Sequence, residues 1–304
     1  MKIYAAAFED TFTHHIVAAG VPSNIFVSFM MMTPATVRTL ETAKRLGIAV
    51  IIDSGAHSFF SGSGGKVAHA TAVTRSAVKE SPSRFFARYL AFCREHAGLF
   101  NYFAELDVGE LVGQKTVENW RRHIEKAGLA AQCLPVFHPA CDTEKTFFDK
   151  CGAWPSHYIG VEGLRHGKPN LDYVRFVRQA YDLGVRVHGF AMVRRKWLDA
   201  VPFYSVDSAG WKAAFMYGKA MSRIRNGVSS GVLLGGTYSQ DTARLALNGI
   251  DVATAIRTDI TNPAVCVERA KPPLDALRHL QDHYTRLWRK RGVDWDACTK
   301  GLVP

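Results

Sequence analysis

The sequence predicts an α/β fold, a TIM (β/α)8 barrel with a C-terminal helical and basic extension. Three observations predict it. Eight short strand-like runs, most of them continuously apolar, fall within about the first 207 residues, as parallel strands covered on both faces require. Helical stretches lie between them and stop at glycines, the alternation of a parallel α/β fold. The first strand is followed by Ala7-Phe8-Glu9-Asp10, which lacks the glycine-rich fingerprint that a doubly wound dinucleotide-binding sheet carries there.

Taken in order, the first two strands are Ile3–Ala7 and Ile25–Phe29. Thr33-Pro34 then supplies a cap and first-turn pair for a helix over Pro34–Leu46, which Gly47 stops. Ala49–Asp53 is the third strand, and Ser81 caps a helix over Pro82–His96 that ends at Gly98. The fourth strand, Tyr102–Asp107, leads to a helix over Thr116–Ala127, and Cys133–Phe137 and Tyr158–Glu162 are the fifth and sixth. The helix Asn170–Leu183 aligns Leu171, Val174, Phe176, Val177, Ala180 and Tyr181 on one face. Arg186–Ala191 and Phe203–Asp207 complete the set, with so short a link between them that one crossover is truncated. The catalytic core is residues 1–210. In the extension, residues 211–304, Trp211–Arg225 reads as a basic helix, Gly231–Gly236 as a short apolar run, and Thr242–Leu247 and Pro273–Arg291 as helices. No flexible linker separates the two parts.

The 304 residues are 47% hydrophobic, enough for a large core, and no apolar run approaches the length of a membrane span. The N-terminus enters a strand without a signal-peptide layout, so the expected location is cytoplasmic. The six cysteines form no Cys-x-x-Cys pair and read as reduced thiols. A net charge of +11 favours polyanion partners. Its basic residues gather at Arg194-Arg195-Lys196 and at Lys212, Lys219, Arg223 and Arg225, on loops after the last two strands.

The chemistry is concentrated at strand ends. Asp53, Asp107 and Asp207 each close an apolar run, where a carboxylate avoids the desolvation cost of the strand interior. In a barrel those ends share one face. His138, Glu162 and Met192 close three more runs at the same level. A strand-end Asp also serves as a helix cap, and a His beside a proline also braces a loop. Six polar or soft residues at one level point instead to a site. Two separated aspartates suit covalent catalysis, one as nucleophile and one moving protons. A third can accept the paired N–H donors of a purine edge. Met192 and Phe137 are placed to sandwich a planar base, and Gly160 and Gly189 to let it approach backbone amides. Gly62-Ser63-Gly64-Gly65-Lys66 lacks phosphate-loop spacing and reads as a lid over the Asp53 site.

Asp53-Ser54-Gly55-Ala56-His57-Ser58-Phe59 resembles the Asp-Ser-Gly-Gly-Phe-Gln segment of tRNA-guanine transglycosylases, TIM-barrel enzymes that exchange guanine for a 7-deazaguanine through an aspartyl–nucleic acid intermediate. The resemblance runs in order over roughly residues 48–210. It implies that Asp207 is the nucleophile and Asp53 the general acid/base. It implies that Ser54, Asp107, His138, Gly160, Val161 and Met192 bind the base, His138 standing where the family carries a Gln. The family's Cys-x-Cys-x-x-Cys zinc motif is missing. A reduced structural zinc site would fall to Cys266, His279 and His283, the two histidines sharing a helix face. These departures resemble the phage and bacterial deazapurine DNA modification branch, which places the deazaguanine in DNA. The implied partners are DNA and a 7-deazaguanine base of the preQ0 type, with no membrane, no required cofactor, and a homodimer as in the tRNA enzymes. Arg194, Arg195, Lys196 and Lys212 would hold phosphates. The rival readings are a tRNA-guanine transglycosylase, a base-excising glycosidase and a non-catalytic nucleic-acid-binding barrel.

Overall fold

In a computed structural model, residues 1–61, 80–138, 143–162, 172–217, 219–225, 228–233 and 249–298 are described. The expected Gly62–Lys66 lid and the Thr242–Leu247 helix lie outside these residues. The chain forms β1 (Lys2–Ala6), β2 (Asn24–Ser28), β3 (Ala49–Asp53), β4 (Tyr102–Ala104), β5 (Cys133–Leu134), β6 (Val136–Phe137), β7 (Tyr158–Val161), β8 (Arg186–Gly189) and β9 (Ser205–Ser208). These nine strands make one parallel sheet in the order β5-β4-β3-β2-β1-β9-β8-β7-β6. The two end strands, β5 and β6, are neighbours in the chain, divided only by Pro135. The sheet therefore nearly closes, an α/β arrangement compatible with a TIM-like barrel.

The fifth strand is expected as one run, and proline is why it divides. Pro135 has no N–H to give a ladder. Residues before it pair with β4, through Phe103 and Cys133, and residues after it pair with β7, through Val136 and Gly160.

The outer layer is helical: α1 (Thr13–Ala18), α2 (Pro34–Arg45), α3 (His57–Ser61), α4 (Pro82–Glu95), α5 (Gly109–Val112), α6 (Gln114–Lys126), α7 (Glu144–Cys151), α8 (Tyr173–Asp182), α9 (Arg195–Ala200) and α10 (Gly210–Met216). Thr33 caps α2 by accepting the Thr36 N–H, and Ser81 caps α4 by accepting the Arg84 N–H, as those residue types at those positions require. The core lies between strands and helices. Phe29, Phe85, Phe86, Tyr89 and Phe103 fill one side, and Phe137, Phe147, Phe176, Val187 and Val206 the other.

Beyond β9 two expectations are corrected. Trp211–Arg225 is not one helix. Helix α10 ends at Met216, and Lys219–Arg225 is a strand, β10, paired antiparallel with β11 (Val228–Leu233). In the sequence, Asn226-Gly227 is a dipeptide that favours hairpin turns, a stronger local signal than the basic composition. After α11 (Val252–Ala255), the last long helix begins ten residues before Pro273, because Asn262 caps it at the Ala264 and Val265 N–H groups. This helix, α12 (Pro263–Lys290), carries Pro272 and Pro273 inside it and is followed by α13 (Trp295–Cys298). Its Gln281 side chain accepts the Ile3 N–H at 2.9 Å and that of Asn24 Nδ2 at 3.1 Å, so it lies under the N-terminal ends of β1 and β2. Among the described residues no helix is long and apolar enough to cross a membrane.

Candidate active site

A cavity of about 470 Å³ opens at the C-terminal ends of the barrel strands. Its wall includes Phe26, Asp53, Ser54, Glu105, Asp107, Val136, Glu162, Phe190, Ala191, Met192, Arg194, Trp197 and Asp207. The volume is in the range of small-ligand sites, about 300–1,000 Å³. Asp53, Ser54, Asp107, Met192, Arg194 and Asp207 of the sequence-predicted set thus share one cavity.

Asp53 is the last residue of β3 and its environment is unusual. Burial, and next the negative charge of Asp207, push its carboxyl up to about 7. The Gly55 N–H, donated to Oδ2 at 3.1 Å, and the Ser28 hydroxyl act the other way without cancelling the shift. The glycine of the Asp-Ser-Gly run is needed as written. Gly55 has φ +83°, and a Cβ there would meet Met30 Cβ at 2.5 Å. Glu9, beyond β1, accepts the Ser28 N–H at 2.6 Å and adds a further like charge near Asp53. Burial raises its own pKa.

Asp207, on β9, is held differently. Its Oδ1 accepts the Ala191 N–H at 2.7 Å, and His188 Nε2 lies 3.4 Å from the same oxygen. Ala191 has φ +55°, a costly conformation for a residue with a Cβ, and it sits directly against the carboxylate, where such strain collects in functional sites. The Gly189-Phe190-Ala191-Met192 turn therefore does two things: it presents an amide to Asp207 and buries Met192 in the cavity wall.

On the opposite side, Asp107, His138 and Glu162 bring their ligand atoms within 4.8 Å of one another. His138 Nε2 is 2.7 Å from Glu162 Oε2 and 3.4 Å from Glu110 Oε1. Burial disfavours the imidazolium, but Glu162 and the charges of Asp107 and Glu110 outweigh it and raise the pKa of His138. One imidazole with two carboxylates is the set among the described residues that could hold a divalent cation. With a protonated His138 it is equally an anionic, hydrogen-bonding wall. Behind it Glu105 is buried and forked onto Arg121 at 2.7 and 2.6 Å, while its Oε1 accepts the Val136 N–H at 2.6 Å.

Several expectations change. Gly160 does not offer its amide to a ligand: its N–H donates to the Pro135 carbonyl at 2.8 Å. A Cβ there would lie 2.4 Å from Phe190 Cε2, so the glycine makes room for that ring. Val161 is fully buried in the strand–helix core, its carbonyl taken by the Phe190 N–H. Phe137 stacks on Phe176 at 4.9 Å in the same layer and is no partner for Met192 across a base. Among the basic residues, Arg194 is exposed on the cavity wall. Arg195 and Lys196 are exposed on α9, the first paired with Asp199 at 3.1 Å and the second over the Trp197 ring. Lys212 is half-buried and paired with Asp10, which removes it from the set of available phosphate contacts.

The reduced zinc site fails on geometry. Cys266 and His279 lie on one helix thirteen residues apart, about 20 Å at 1.5 Å per residue. Cys266 is buried, its thiol pushed up to about 11 and directed at the Phe12 carbonyl, while His279 pairs with Asp275 at 3.1 Å and His283 lies edge-on to Tyr284.

Sequence reasoning missed His188, Glu9, Phe190 and Trp197. His188 stands among polar and small neighbours in β8, Arg186-Val187-His188-Gly189, and none of the four missed residues left a clear signal in the sequence. Comparison with family models, with curated proteins and with solved structures returns no match to this chain.

Proposed function

We propose that this chain is a DNA-guanine transglycosylase that exchanges guanine in DNA for a 7-deazaguanine on a (β/α)8 barrel, in the cytoplasm. One observation carries the reading. Asp53 and Asp207 face one cavity from β3 and β9, and the charge of Asp207 helps hold the Asp53 carboxyl near neutrality. A carboxylate nucleophile and, across the cavity, an acid that keeps its proton are the pair this exchange requires.

The steps follow from that pairing. An Asp207 carboxylate oxygen attacks C1′ of the target nucleoside as the C1′–N9 bond breaks. The electron pair leaves on guanine, which takes the proton of Asp53. The incoming 7-deazaguanine returns its N9 proton to Asp53 and bonds C1′, and the Asp207 carboxylate is released. The target base must leave the stack for C1′ to be reached. Asp107 lines the wall suited to a purine's polar edge with His138 behind it against Glu162, Ser54 and Met192 bound the cavity, and Arg194 meets the phosphates.

The test is release of radiolabelled guanine from DNA or tRNA by the full chain, with and without added preQ0. Release from DNA that depends on preQ0 and disappears in Asp207→Asn is the expected result. Release from tRNA alone would assign the same chemistry to the other polymer. Salt-sensitive binding without release from either would leave a non-catalytic barrel and overturn the roles of both aspartates.

A further inference from the structure

Behind Asp207 the barrel interior holds a column of polar groups that the exchange steps leave unused. His188 is completely buried, its ring stacked on Phe26 at 5.5 Å and edge-on to Phe190 at 4.7 Å. Its Nδ1 lies 2.6 Å from Ser205 Oγ, and Ser205 Oγ in turn hydrogen-bonds the Tyr158 hydroxyl. Its Nε2 lies 3.4 Å from Asp207 Oδ1 and has no partner meeting hydrogen-bond geometry. The other titratable group beside the ring is Tyr4, edge-on at 6.1 Å.

Counting protons fixes the order. Tyr158 and Ser205 each carry one O–H, and a neutral imidazole carries one N–H. If Tyr158 donates to Ser205 and Ser205 donates to Nδ1, the imidazole proton sits on Nε2, the nitrogen beside the carboxylate. Both hydroxyl donors in the column are then used, and the Nε2–H has a carboxylate beside it. The reverse order leaves a bare Nε2 lone pair facing a carboxylate oxygen and the Tyr158 proton without its short partner. A buried column does not tolerate that arrangement when the first is available.

We propose that His188 is the positioning residue of Asp207, a neutral Nε2–H imidazole oriented by Ser205 and Tyr158. The Ala191 N–H donates to Oδ1, and His188 Nε2 lies 3.4 Å from the same oxygen. Oδ2 is thereby kept without a donor among the described residues and is the oxygen that bonds C1′. The 3.4 Å separation is that of a resting site and shortens as the carboxylate settles against substrate. The inference rests on the reading of Asp207 as nucleophile.

Two measurements on the full chain test it. In ¹⁵N-histidine-labelled protein, with the His188 signals identified by their loss in His188→Phe, the ring nitrogens are expected to report a neutral Nε2–H tautomer. An Nδ1–H tautomer or an imidazolium overturns the proposal. In single-turnover trapping of the covalent adduct, His188→Phe keeps the stacked ring and lacks the donor. Its adduct rate is expected to fall roughly 10- to 100-fold with KM little changed. His188→Gln, which carries an amide N–H near the place of Nε2, recovers part of the rate. An unaltered rate in His188→Phe, or equal loss in both variants with KM raised, overturns the positioning role. If the wild type forms no adduct with DNA or tRNA, the transglycosylase reading fails, and the nitrogen shifts alone decide whether the donor order stands.

Discussion

Asp53 ties the chemistry of the site to the stability of the fold. The folded chain holds its proton up to about 7, whereas an unfolded aspartate releases it near 3.9. Between those two values the native state binds more protons than the unfolded state. Stability from this residue is therefore full at low pH and is lost as pH rises through about 7. Asp53→Asn removes the ionisation and is expected to stabilise the protein at pH 8, by up to about 4 kcal/mol, and far less at pH 5. Urea denaturation at the two pH values checks this; equal gains at both would contradict it. The same variant is expected to lose guanine exchange. Asp53, Asp107 and Asp207 were legible in the sequence because an acid ending an apolar run conflicts with burial unless a cleft lies beyond it. Glu9 and His188 were not. Their roles depend on Ser28 and Asp207, nineteen residues away in each case, and on a cavity that periodicity does not describe.

At the scale of elements, the strand–helix alternation was read correctly because each apolar run and each glycine stop is a local signal. What stayed hidden is how the seam at Pro135 is secured. The buried Glu105 carboxylate follows β4, accepts the Val136 N–H of β6 and is forked by Arg121 of α6. Three elements meet on one side chain. Arg121→Met is expected to cost about 3–5 kcal/mol, because it leaves Glu105 buried without its counter-charge. The double variant with Glu105→Gln is expected to recover much of the loss, since a Gln oxygen can still accept from Val136. Denaturation midpoints of the two variants decide; a single-variant loss below ~1 kcal/mol would show that the pair does not secure the seam. Gly160→Ala meets the same layer from inside. Its Cβ would collide with Phe190 at 2.4 Å, and the expected cost is about 1–3 kcal/mol. Thermal unfolding of that variant measures it.

At the scale of the molecule, the cavity occupies one end of the barrel and α12 the other. Besides Gln281, Trp288 Nε1 donates to the Leu198 carbonyl, and α13 adds Trp295 Nε1 on Pro202. The C-terminal segment thus braces the barrel's lower rim. The excess of positive charge was legible as composition, but its availability was not, because pairing partners come from distant elements. Nucleic-acid affinity is expected to fall steeply with salt. Arg194→Glu is expected to weaken binding at every salt concentration and to flatten the slope by about one or more, whereas Lys212→Ala changes little because Asp10 already holds that ammonium. Fluorescence anisotropy over a salt series separates the two. The distribution of indoles has an optical consequence. Of six tryptophans, Trp120, Trp154, Trp211, Trp288 and Trp295 are buried, and Trp197 stands half-buried on the cavity wall. Five emit from dry surroundings that a ligand does not reach. A planar base entering the cavity changes the solvent around the sixth, so the unlabelled protein carries its own emission probe of occupancy, and Trp197→Phe is its blank.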